Sequence, residues 1–237
     1  MKWLFSFVFG KQAARDDDLI DRYKDIRKAA LQLNTALAKE VPKAAVPECG
    51  KKLGLVKAGT LILNNDDEIA ILYDYCFHHY RRADKTVLDR YREQHPPAPG
   101  STEAALLEAM GRSRYSLFRV EEIQHQRRGA TLCDLLGGER FDLIDIALSE
   151  TAEPGLIVAG RLLVFPRFAM SSGTLIPVAE PVYADKMRPV VRKYLPDETA
   201  ARPAFSEAQA ASFEAQIIRI ALREGGEDNM FYTDAEH

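Results

Sequence analysis

Asp74 and His78 stand four residues apart in NNDDEIAILYDYCFHHYRRADKTVLDRYRE (64–93), the stretch with the densest cluster of titratable and aromatic side chains. On a helix that spacing puts a carboxylate and an imidazole on one face, where two ligands can meet a divalent metal. His79 and Asp84 are close enough in sequence to join them after a turn, and a further ligand such as His95 would complete a site for metal-assisted hydrolysis. The same Asp74–His78 pair is also an ordinary i,i+4 contact. Tyr73, Tyr75, Phe77 and Tyr80 fit a core or groove lining better than a stacking platform.

A second group of candidates clusters further along. Arg112, Arg114, Arg119, His125, Arg127, Arg128 and Arg140 surround Tyr115 and Phe118. Arginines interleaved with aromatic rings hold single-stranded RNA or DNA by pairing with phosphates and stacking on bases. Glu121, Glu122, Asp134 and Glu139 dilute that charge. Arg112, Arg114, Tyr115, Arg119, Arg127 and Arg128 are therefore read as a macromolecule-binding set, for protein before nucleic acid.

Several chemistries find no support. Ser113, Ser116, Ser171 and Ser172 lack a G-x-S-x-G context, and no Gly-rich phosphate loop is present. Cys49, Cys76 and Cys133 are far apart with no C-x-x-C, which disfavours a zinc finger or a disulfide framework and suits the reducing cytoplasm. No cofactor is expected. A net charge of −3 argues against strong nonspecific attraction to nucleic acid. The longest apolar run, Gly155 to Phe165, is interrupted by Arg161 and falls short of the ~18 residues of a membrane span. MKWLFSFVFGK carries no A-x-A-like cleavage site. Its Trp3–Phe9 stretch is expected to pack on the body of the protein or to make a weak membrane-surface contact.

The elements that must position these residues form an α+β protein. With 237 residues, 46% hydrophobic and 28% charged, the chain has an ordinary globular composition. Asp16 to Glu40 reads as a helix with a heptad-like stripe of Leu19, Tyr23, Ile26, Ala30, Leu33 and Leu37, acidic in its first turns. The stripe suits packing within the protein and leaves a homodimer open. Pro42 to Thr60 reads as a connector with one short helical turn. Asn65 and Glu68 predict a capping box for a helix buried through Ile69, Leu72, Tyr73, Cys76, Phe77 and Tyr80. Asp84 is placed to cap the next helix, and His95–Gly100 is a stiff link before a helix capped at Ser101 or Thr102.

The period then changes to that of strands. Segments 116–123, 131–136, 140–148, 156–165 and 168–178, with a turn at Gly137-Gly138, predict a small five-stranded antiparallel barrel of SH3-like or OB-like size. Ser206 and Gln209 predict a capping box for a last helix buried through Ala210, Phe213, Ile217 and Ile220, with Glu227–His237 as a tail. The expected organisation is 1–114 helical, 115–180 barrel, and 181–237 C-terminal helix and tail.

Three segments together, LYDYCFHHYRRADKTVLDRY, LLEAMGRSRYSLFRVEEI and TLCDLLGGERFDLIDIALSETAEPGLIVAGRLL, resemble an uncharacterised family of bacterial proteins, some of which carry an appended SEC-C zinc tail. The resemblance spans roughly Asn64 to Val178. It implies an architecture and no activity, and the zinc tail has no counterpart in EGGEDNMFYTDAEH. The reading is a non-catalytic binding or adaptor protein, with a metal-assisted hydrolase at Asp74, His78 and His79 or an RNA/ssDNA-binding protein as alternatives.

Overall fold

A computed structural model describes residues 3–195 and 204–225, with side chains from residue 18 onward. The side chains of Trp3–Phe9 and the tail Glu227–His237 lie outside the described residues. Helix α1 (Trp3–Glu40) starts well before the expected Asp16; no proline lies in that stretch, and Gly10 is its one strongly unfavourable residue. Its acidic run therefore lies inside the helix and not on the first turn. The expected stripe from Leu19 to Leu37 is buried along its whole length within this one chain.

The connector contains a full helix, α2 (Ala45–Leu53), since Pro47 falls in its first turn, where no intrahelical N–H bond is lost. A hairpin of β1 (Val56–Lys57) and β2 (Thr60–Leu61) follows, turning through Ala58 and Gly59 at positive φ.

Asn65 caps α3 (Asp66–His79), its side chain accepting from the Glu68 N–H. Glu68 returns its carboxylate to Asn64 instead of Asn65. The buried face of α3 is Ile71, Leu72, Tyr75, Cys76 and Phe77, rotated from the expected stripe; Ile69 is exposed. Tyr75 and Cys76 join one core cluster and Phe77 another, so two sets of neighbours claim this helix. Ala83 and Asp84, both at positive φ, make the tight corner. Thr86, not Asp84, caps α4 (Val87–Gln94), in a box with Asp89. Ser101 caps α5 (Thr102–Arg112).

The barrel comprises β3 (Arg114–Gln124), β4 (Gly129–Asp134), β5 (Arg140–Ile144), β6 (Ile157–Val164) and β7 (Ala169–Val178), closed in the order β3-β4-β5-β7-β6. Four pairings are antiparallel, and the fifth, β5 with β7 at Leu143 and Ala169, is parallel. The barrel is thus mixed, where an antiparallel one was expected. Exchange of the last two strands, with a helix before the fourth, is the connectivity of an OB-type barrel. That helix, α6 (Ile146–Thr151), takes over the end of the expected 140–148 strand because Asp145 caps it.

Alternation along β6 points Val158 and Leu162 into the barrel and Ile157, Ala159 and Leu163 outward to the helices. A Cβ at Gly160 would lie 2.6 Å from Leu175 Cδ2 and 2.7 Å from the Thr174 carbonyl, so glycine permits the close approach of β7. Beyond the barrel, α7 (Glu180–Val182) runs through a wide turn at Tyr183–Met187 into α8 (Arg188–Tyr194). The last helix, α9 (Glu207–Arg223), has the expected Ser206–Gln209 capping box. Its buried face is Phe213, Glu214, Ala215, Ile217, Ile218 and Ala221. One core cluster draws on α2, α3, β3, β6, β7, α8 and α9 together. Among the described residues, no helix is long and apolar enough to cross a membrane.

Candidate functional site

Arg161 occupies an outward position of β6, between Ala159 and Leu163, beneath the covering helices. Its guanidinium is 3% exposed, and a charge taken that far out of water needs partners on every side. Two elements distant in sequence supply them. From α3, Asp74 Oδ2 accepts from Arg161 Nε at 3.1 Å; from α9, Glu214 Oε2 accepts from Nη2 at 2.6 Å. The same Glu214 oxygen lies 2.7 Å from His79 Nε2, and the His79 ring packs on Tyr75 with centroids 4.8 Å apart. One carboxylate thus joins α3, β6 and α9.

The electrostatics separate the two acids. Burial raises the Asp74 pKa, and Arg161 offsets only part of that rise. Burial also opposes ionisation of Glu214, yet Arg161 and His79 outweigh it and hold the carboxyl below its ordinary range. Glu214 is therefore the acid that ionises first. Burial works against the Arg161 charge, and Glu214 and Asp74 more than compensate. His78 is pushed well below its ordinary value by burial, by Arg161 and by His79, so it is neutral at pH 7. Burial, Glu214 and Asp74 raise Tyr115, which keeps its phenolic proton.

All of these groups but Asp74 line a cleft of about 410 Å³ between the α3–α4 corner, the α5–β3 junction and α9. Its walls carry His78, His79, Arg114, Tyr115, Arg161 and Glu214. Among the described residues, the buried atoms Glu214 Oε1 and His78 Nε2 have no hydrogen-bond partner. Leaving such an atom unsatisfied costs about 1–3 kcal/mol, more for a charged group. Arg114 is exposed and has no ion-pair partner among the described residues.

A second depression lies on the other side of Ser113 and Arg114, which line both. It is a groove of about 720 Å³ at the barrel mouth opposite α6. Phe118, Phe141, Leu162, Val164, Phe165 and Pro166 line it, and Arg112 and Glu139 stand among its polar groups. Phe118 and Phe141 meet edge to face at 6.0 Å, and Phe165 stacks on Phe168 at 5.3 Å. Val164 remains 45% exposed at the end of β6.

The sequence candidates are partly gathered and partly scattered. Asp74 and His79 are engaged by Arg161 and Glu214, and His95 stacks on Tyr91 at the end of α4. Among the described residues, no three His, Cys, Asp or Glu side chains are grouped to hold a metal. Within the arginine set, Arg114 and Tyr115 reach the cleft and Arg112 the groove. Arg119 pairs with Glu180 and Arg127 with Asp142, while Arg128 occupies a left-handed position beyond β3. The two ends of β3 are roughly 30 Å apart at ~3.3 Å per residue, too far for one compact patch. Arg161 and Glu214 were missed as site residues. Their signal was a single charge in each of two apolar stretches, IVAGRLLV and FEAQII.

The chain belongs to the family of unknown function DUF7986, whose model matches residues 17–198. This agrees with the resemblance to an uncharacterised family, and it transfers no activity. No curated protein and no solved structure matches the chain.

Proposed function

We propose that the protein is a non-catalytic, cytoplasmic binding protein that holds an extended segment of a partner protein in the groove at the barrel mouth. The observation that carries this reading is the groove's lining: Phe118, Phe141 and Phe165, an exposed Val164, and the exposed Arg114. Aromatic anchors in a concave apolar surface beside an arginine are typical of protein-binding hot spots. The partner segment is one with an aromatic or aliphatic residue flanked by Asp or Glu. Nucleic acid is disfavoured because Arg112, Arg119, Arg127 and Arg140 each already face a carboxylate and the net charge is −3. Free Cys49, Cys76 and Cys133 fit a reducing cytoplasm.

A displayed random-peptide library panned on the protein tests this. The expected winners carry an apolar residue beside acidic ones, and Val164→Asp protein fails to retain them. Enrichment of no sequence class, or retention unchanged by Val164→Asp, overturns the reading. Binding of oligo-dT or oligo-U with affinity that falls steeply with salt would replace it by single-strand recognition.

A further inference from the structure

We propose that the polar cleft beside the groove is a second binding site, for a small zwitterion that places a cationic N–H group at Glu214 Oε1 and a carboxylate or phosphate at Arg114. The ion pairs that fasten α3 and α9 to β6 use Asp74 Oδ2 and Glu214 Oε2. They give no role to Glu214 Oε1, an oxygen of a residue 1% exposed that has no hydrogen-bond donor among the described residues. Arg161 and His79 both sit on Oε2, so the other oxygen of this carboxylate is left to a further donor. A water molecule would supply Oε1 with a donor but no charge; an ammonium or guanidinium supplies both.

The outer wall has the opposite need. Arg81, also on the cleft, is tied to Glu207 at 2.6 Å, whereas Arg114 has no such partner among the described residues. An anionic group on the ligand meets that guanidinium. His78, with Nε2 unpartnered, and the Tyr115 phenol add neutral polar groups to the wall. A volume of about 410 Å³ suits a ligand of amino-acid size. This site does not depend on the groove: Val164 and Phe165 do not line it.

The test is isothermal titration of the full-length protein with arginine, lysine, γ-aminobutyrate and O-phosphoethanolamine. n-Butylamine, butyrate and inorganic phosphate are single-charge controls. At least one zwitterion is expected to bind, with each single-charge control about tenfold weaker or worse. Arg114→Gln, at an exposed position, is expected to weaken that zwitterion by at least about tenfold while the protein stays folded. Glu214→Gln, if folded, removes the preference for a cationic group. Absence of heat with every zwitterion, equal affinity for butyrate or phosphate, or unchanged affinity in Arg114→Gln would each overturn the proposal. Val164→Asp leaves zwitterion affinity unchanged, so failure here and failure of the groove reading are separable.

Discussion

The cleft and the groove share a wall at Ser113 and Arg114, yet they are built on opposite principles. The groove is an incompletely covered barrel interior: Phe118, Phe141 and Leu162 belong to or pack against the barrel's own apolar core. The cleft is an incompletely covered interface, where a buried arginine on the barrel exterior meets acids from two helices. Apolar side chains tolerate partial exposure at small cost, so the groove can stand open without consequence for the fold. A buried ion network cannot lose a member that way. The first region is thus free to serve binding alone, while the second binds structure and any ligand to the same charges.

The largest effect that can break this contrast is Arg161→Met. It leaves Asp74 and Glu214 buried without their cation and is expected to cost roughly 3–5 kcal/mol in urea unfolding. Replacing Arg161, Asp74 and Glu214 together by apolar residues of similar volume should recover most of that loss. A cost below about 1 kcal/mol for Arg161→Met would mean that the network does not hold the helices to the barrel.

Acid titration gives the next effect. The folded-state pKa of His78 lies well below the ordinary 6.5, so below that pH the unfolded chain binds a proton that the folded chain refuses. Stability therefore falls as pH drops from about 7 to 5, by up to roughly 1.4 kcal/mol per pH unit from this group. Glu214 has the depressed-acid behaviour: its contribution is present above the ordinary 4.5 and lost as pH falls through its lower folded value. His78→Asn should flatten the upper part of the profile. An unchanged profile between pH 7 and 5 would sink the assignment of a neutral, buried His78.

Val164→Asp is the smallest perturbation and the sharpest control. With its side chain at an exposed lip, the change should move unfolding free energy by no more than about 0.5 kcal/mol. A larger loss would show that the groove, like the cleft, is part of what holds the fold.

Legibility in the sequence followed the range of the interactions. The α9 capping box at Ser206 and Gln209 and the α1 stripe from Leu19 to Leu37 were readable, since each is set within a few residues. The rotation of α3 was not, because Tyr75 is buried and Asp74 engaged by neighbours that local periodicity does not name. For the same reason residues 146–148, the start of α6, read as the end of a strand: their apolar side chains suit either period, and the Asp145 cap decided between them. The Asp74, His78 and His79 cluster was visible as chemistry, but its partners lie 87 and 135 residues away.

From the amino-acid order alone came the α+β class, five barrel strands and helix starts at Asn65, Ser101 and Ser206, all products of local propensity, capping and alternation. Tertiary structure alone decided that β5 meets β7 in parallel and that a lone Arg161 becomes the centre of a site. Closure of the barrel and the burial of a charge are fixed by which distant segments come together, and no residue carries that information in its own neighbourhood.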